Sequence, residues 1–131
     1  MPSSARFKEA IQPIGDMSAA ILALQPVSFR YKQELDPEGM LQFGLVAEEV
    51  AKVNPDLVVP DQEGKPFSVR YEEVNAMLLN EFIKAHRKVE SLEKALAQQQ
   101  QQIGALTERL QKVSALVEVS ATSSQFAVSE E

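Results

Sequence analysis

A serine and a lysine stand five residues apart near the start of the chain, in the run Ser3-Ser4-Ala5-Arg6-Phe7-Lys8. A serine hydroxyl becomes an effective nucleophile when a neighbouring base takes its proton. Lysine fills that role only as a neutral amine, a form that burial or adjacent positive charge favours. Arg6 offers such a charge between the two. The peptide bond nearest to the Ser3 hydroxyl is the one before it, Pro2–Ser3, so the chemistry on offer is that of a chain that cuts itself. On a regular strand, residues an odd number apart point to opposite faces. Ser3 and Lys8 therefore need a bend, or a neighbouring chain, to meet. A donor for the developing oxyanion is also required, and backbone amides can supply it. Ser4, four residues from Lys8, ranks below Ser3 as the nucleophile.

No other part of the chain offers comparable chemistry. His86 is the sole histidine, on a helical stretch beside an apolar seam, and reads as exposed helix surface. Glu48 and Glu49 read as first-turn acids of a short helix, where the helix dipole favours negative charge; one of them could orient a basic group of the site. Phe29, Tyr31, Phe43, Phe67 and Tyr71 read as the core of a small sheet. With no cysteine there is no disulfide and no thiolate site. No spaced ligand cluster, glycine-rich phosphate loop or basic-aromatic patch calls for a metal, a cofactor or a nucleic acid.

The elements that must position Ser3 and Lys8 are small. At 131 residues, 44% apolar and 24% charged, the chain is ordinary for a soluble domain with an extension. Its formal charge of -6 gives no general attraction for nucleic acid or an anionic membrane. The first thirty residues lack a signal-peptide pattern. No apolar run approaches the roughly 20 residues of a membrane span. Once the helical tail is set aside, about 75 residues remain for a core, a size that commonly leans on oligomerisation.

Ala5 to Ile11 reads as a short strand or an extended lead-in. Asp16 or Ser18 is placed to cap a short helix that runs to Leu24 and stops at Pro26. Val27 to Lys32 alternates apolar and polar, Asp36-Pro37-Glu38-Gly39 is a turn, and Leu41 to Val46 returns as the second strand of a hairpin. Gly44 inside that strand signals a bulge or a close backbone approach. Ala47 to Val53 is a short helix ended by Asn54-Pro55. Leu57-Val58-Val59 and Phe67 to Tyr71 form a second strand pair around the turn Asp61 to Lys65.

The clearest periodicity follows. Phe82, Val89, Leu96, Ile103, Leu110 and Val117 recur every seven residues, with Leu78, Ala85, Leu92, Gln99, Leu106 and Val113 between them. Such a seam predicts a coiled coil, with Gln99 able to fix register at some cost in stability. Lys88 and Glu93 flank it where parallel chains can pair. The mixture of branched and unbranched seam residues does not choose between dimer and trimer. Gln98 to Gln102 reads as solvated helix surface with one seam position. The expected divisions are an α+β head over 1–71, the long helix over 72–117 and a disordered polar tail over 118–131.

The order of these elements, with Ser3 to Ile11, Leu22 to Lys32, Phe43 to Val50, Pro55 to Val58 and Val69-Arg70-Tyr71 leading into the helix, resembles a known family. It is similar to the C-terminal intramolecular chaperone, an auto-processing serine peptidase domain, of endosialidases and other phage tail spikes and fibres. The resemblance covers about residues 3–95 and rests on five stretches in series. It implies a homotrimer that holds an upstream β-rich stalk of the same precursor in register while the stalk folds, and then releases itself. It assigns the nucleophile to Ser3, the general base to Lys8 and the cut to Pro2–Ser3. An acidic residue often follows the family's serine; here Ser4 stands there, which bears on the fine structure of the site. The implied setting is a phage tail or bacterial fibre precursor assembled in the cytoplasm. Two rivals make distinct expectations: a trimerisation module without peptidase activity assembles and never cuts, and an adaptor module uses its acidic head to bind a partner after release.

Overall fold

The computed structural model describes the backbone of residues 1–129 and the side chains of residues 1–125. The chain is α+β. Two antiparallel strand pairs and short helices precede a long C-terminal helix. By internal packing it forms two units, Met1–Ala85 and His86–Glu131.

The first strand pair, β1 (Val27–Phe29) and β2 (Gln42–Gly44), has the register Val27↔Gly44, Ser28↔Phe43 and Phe29↔Gln42. Its connection closes at the expected turn. The Gly39 N–H donates to the Asp36 carbonyl at 3.1 Å, and the Met40 N–H donates to the Asp36 carboxylate at 2.8 Å. Gly39 supplies the positive φ of 62° that this turn needs. Helix α1 (Ala47–Val53) follows, and the Asn54 side chain accepts the Asp56 N–H at 3.0 Å where α1 gives way to the 3-10 turn Pro55–Leu57. Strands β3 (Val58–Pro60) and β4 (Pro66–Val69) pair through Val58↔Val69 and Val59↔Ser68. Asp61 organises their turn by accepting the N–H groups of Glu63 and Lys65, each at 2.9 Å.

The core of the head gathers Ile21, Val50, Leu57, Val58 and Val69, with Val50 and Leu57 each 1% exposed. Leu24, Leu45, Ala47, Ala51, Val74 and Met77 pack around them. Five buried apolar side chains are few for a domain of this size and leave it short of hydrophobic stabilisation on its own. The aromatics expected in this core are elsewhere. Phe43 is 77% and Phe67 74% exposed, and Tyr31 and Tyr71 are also exposed. Phe29 alone of the five is half-buried, and for Phe43 and Phe67 the reason lies in the strands. Each sheet has two strands, and alternation points one face at the core and the other outward. In β2, Phe43 takes the outward position between the half-buried Gln42 and Gly44.

Gly44 makes the close approach that a glycine inside a strand signals. A Cβ there would lie 2.8 Å from the Tyr71 hydroxyl oxygen and 3.3 Å from Phe29 Cε1. The Tyr71 hydroxyl accepts the Leu45 N–H at 2.9 Å, so it cannot retreat without losing that bond. Gly44→Ala is expected to lower stability by about 1–3 kcal/mol, the usual cost of overpacking. Adding Tyr71→Phe should recover part of the loss. Urea midpoints of the two variants and the parent check both statements; equal midpoints for parent and Gly44→Ala would contradict the close approach.

Helix α2 (Tyr71–Ser129) begins with Glu72 and Glu73 in its first turn, and Asp/Glu at that end complement the helix dipole. It continues as helix through Ser129, within the 118–131 stretch expected to be a disordered tail; residues 130–131 lie outside the described residues. Within the second unit the seam is exposed throughout, at Val89, Leu92, Leu96, Ile103, Leu106, Leu110, Val113 and Val117. His86 is exposed and pairs with Glu90 one turn on, at 3.5 Å. Among the described residues no helix is long and apolar enough to cross a membrane.

Candidate functional site

The lead-in segment is bent rather than extended. Ala5–Phe7 is a single 3-10 turn, closed by the Phe7 N–H to the Ser4 carbonyl and the Lys8 N–H to the Ala5 carbonyl, each at 3.0 Å. This corrects the short strand or extended lead-in expected over Ala5 to Ile11 at its first three residues, after which Lys8 is again extended. None of Ala5, Arg6 and Phe7 is buried, so no sheet face draws the segment straight. Two residues past Lys8, Ala10 sits at φ 51°, in the left-handed region that non-glycine residues seldom occupy, and the chain changes direction there.

The 3-10 turn brings Ser3 and Lys8 together. Lys8 Nζ donates to Ser3 Oγ at 3.3 Å. Both side chains are exposed in the single chain. Arg6, the neighbouring charge, lies over the ring of Phe7 at 4.6 Å from its centroid. Ser4 takes the N-cap position of the turn without a side-chain capping bond. In this contact the ammonium donates to the hydroxyl; transfer of the hydroxyl proton the other way needs a neutral Lys8 amine and a closer approach.

A second polar cluster escapes the sequence reading. Gly15–Ala23 is a nine-residue 3-10 helix, and its N-cap position is held by Ile14 with no side-chain cap. The cap expected from Asp16 or Ser18 is absent because Ser18 is inside the helix, 0% exposed, and bonded to α2 instead. Its hydroxyl donates to Glu81 Oε1 at 2.6 Å and accepts from Asn80 Nδ2 at 2.7 Å. Asn80 also donates to the Gly15 carbonyl at 3.0 Å. Lys84 Nζ reaches Glu81 at 2.8 Å and Asp16 at 3.7 Å. Only the three-dimensional pairing of residues more than sixty apart reveals this cluster. A serine among small and apolar neighbours carries no local sign of it.

The hydrogen bonds from Lys84 and then Ser18 hold the Glu81 carboxyl below the usual carboxylate range. The hydrogen bond to Glu81 likewise holds the Lys84 ammonium above the usual lysine range. The lowered Glu81 value means its contribution to stability is present above the unfolded carboxyl pKa of about 4.3, and is lost as pH falls through the folded value. The raised Lys84 value means its contribution is present below the unfolded pKa of about 10.4, and is lost as pH rises through the folded value. Glu81→Gln is therefore expected to flatten the acid limb of a melting-temperature profile taken downward from pH 6. An acid limb as steep as the parent's would contradict this. Ser18→Ala, which strips a buried hydroxyl from a charged partner, should cost about 1–3 kcal/mol at neutral pH by denaturant titration.

Glu49 is engaged by Lys52 at 2.8 Å, and Glu48, the other acid of that turn, lines an aromatic cavity. Neither is bonded to Ser3 or Lys8. Among the described residues no group of three or more histidine, cysteine or acidic side chains is set to hold a metal ion.

Residues 3–59 match the model of the family described as chaperone of endosialidase, a peptidase family, so the resemblance read from the sequence is shown over that segment. The matched segment contains Ser3, Lys8, the first strand pair, α1 and the beginning of β3. No curated protein matches the chain.

Proposed function

We propose that this chain is a trimerising intramolecular chaperone that assists the folding of an upstream fibre or spike and then releases itself by cutting before Ser3. The observation that carries the peptidase part is the 3.3 Å contact between Lys8 Nζ and Ser3 Oγ across the 3-10 turn. The family description, a chaperone of endosialidase, supports the folding role and the phage-tail or fibre setting. The exposed seam of α2 and the few buried apolar residues of the head support assembly as the source of the missing stability.

In the proposed step the Lys8 amine takes the Ser3 hydroxyl proton while Ser3 Oγ attacks the carbonyl carbon of Pro2. The C–N bond to Ser3 breaks, and its nitrogen takes the proton back from Lys8. The upstream chain is then held as an ester on Ser3 Oγ. One water hydrolyses the ester, with Lys8 again relaying a proton. The products are a carboxyl on the upstream chain and a chain that begins at Ser3. Desolvation favours the neutral form of a lysine amine. Covering of the exposed pair by neighbouring chains therefore delays the cut until assembly.

The folding role is tested by expressing the upstream stalk with and without this chain. The expected result is soluble, trimeric stalk only in the first case. Equal yields of folded stalk in both would set the chaperone role aside.

A further inference from the structure

A cavity of about 380 Å³ opens on the head, with Phe29, Tyr31, Phe67 and Tyr71 among its walls and Glu48 beside them. Phe29 and Tyr31 meet edge to face, with ring centroids 5.1 Å apart. The Tyr71 ring is fixed by its hydroxyl, which accepts the Leu45 N–H at 2.9 Å. Phe67 stands largely uncovered. Glu48 is exposed, and no ion pair or hydrogen bond engages its carboxylate among the described residues, whereas the adjacent Glu49 is held by Lys52.

This lining selects by charge. Aromatic faces attract a cation within about 6 Å of the ring, and a carboxylate at the same opening adds to that attraction. An anion would be repelled, and a purely apolar occupant would strip water from Glu48 without replacing it. A guanidinium suits the lining better than an ammonium, because it stacks on rings and gives a carboxylate two donors. The three guanidinium groups of the head are already engaged: Arg6 lies on Phe7, Arg30 donates to the Gly39 carbonyl and Arg70 faces Glu73 at 4.0 Å, so a guanidinium for this cavity comes from outside the head.

We propose that this cavity receives an arginine side chain of the client polypeptide. That the client is the upstream stalk rests on the proposed function; the cation site itself does not. The site gives the head a grip on an exposed basic residue of an unfolded chain, released when folding buries or pairs that residue.

The test is an NMR titration of the 131-residue chain with a capped pentapeptide carrying one central arginine among glycine and serine. The same peptide with citrulline, and with norleucine, serves as comparison. The arginine peptide is expected to shift signals of Glu48, Phe67 and Tyr71, with a dissociation constant on the order of 1 mM. Glu48→Gln and Phe67→Leu, both at exposed positions, should each weaken binding about fivefold or more, as should citrulline. Equal binding of the arginine and citrulline peptides, or of parent and Glu48→Gln, would overturn the proposal. So would pocket signals that ignore every peptide and move only on dilution of the chain, which would give the cavity to a second copy. Neither result depends on whether the precursor cuts itself.

Discussion

Replacing Leu92 and Leu106 together by aspartate is expected to leave the chain monomeric at concentrations where the parent forms the proposed trimer. Both are exposed seam residues, one on each side of Gln99. Burying a leucine in the coiled coil is worth roughly 1.5–3 kcal/mol per side chain. In the proposed trimer the double change forfeits that at two levels in each of three chains and asks charges to enter an apolar seam, which costs several kcal/mol more unless they are paired. Sedimentation equilibrium across a hundredfold concentration range reads the outcome. A matched change off the seam, Lys94→Asp, should leave assembly intact. Assembly of the double variant at the parent's strength would mean that the seam is not the interface. A parent that stays monomeric at the top of the range would remove the trimer altogether.

The second large effect concerns the cut. In a precursor carrying the native upstream stalk, Ser3→Ala and Lys8→Ala are each expected to assemble like the parent and to slow cleavage by about 10⁴-fold or more, the scale seen when a nucleophile or its base is removed from a serine peptidase. Lys8→Arg should be as inactive as Lys8→Ala, because a guanidinium keeps its proton. Ser4→Ala should cut within a few-fold of the parent. The observed geometry distinguishes the two serines: Ser3 Oγ holds the contact to Lys8, while Ser4 is the N-cap residue of the turn. Full cleavage in Ser3→Ala would move the nucleophile elsewhere, and Ser4 would be the first place to look. Both reading frames of the experiment, rate and assembly, are needed, since an unassembled variant would fail to cut for a different reason.

Much of the architecture is legible in the sequence because it is locally encoded. Alternation at residues 27–32 and 41–46 with a Pro-Gly turn between them gives the first hairpin, although only three residues of each run are paired. The Asn54-Pro55 stop ends α1 where it should. The heptad pattern marks α2 over its full seam. Gly44 announces the tight contact with Tyr71, though not the identity of the residue it approaches.

What the sequence does not disclose depends on contacts made far along the chain or on the absence of such contacts. Ala5 to Ile11 looks like a strand by alternation, but no partner strand pairs with it, and the backbone closes a 3-10 turn instead. That same turn brings Ser3 and Lys8 into contact, a geometry that their spacing alone does not give. Ser18 looks like a helix cap and is a buried tie to Asn80 and Glu81, because the segment packs on a helix more than sixty residues away. The aromatics look like core by type, yet four of the five are exposed, and the two-stranded sheets turn Phe43 and Phe67 outward.

Intact mass measurement of the precursor, made with its native upstream segment and purified without added protease, reads self-release at Ser3 without an intermediary. Two fragments are expected, with masses that sum to that of the precursor plus one water. The C-terminal fragment would begin at Ser3, and Ser3→Ala would yield a single uncut mass. A soluble, assembled parent precursor that stays whole, or one cut at a bond other than that before Ser3, would contradict it.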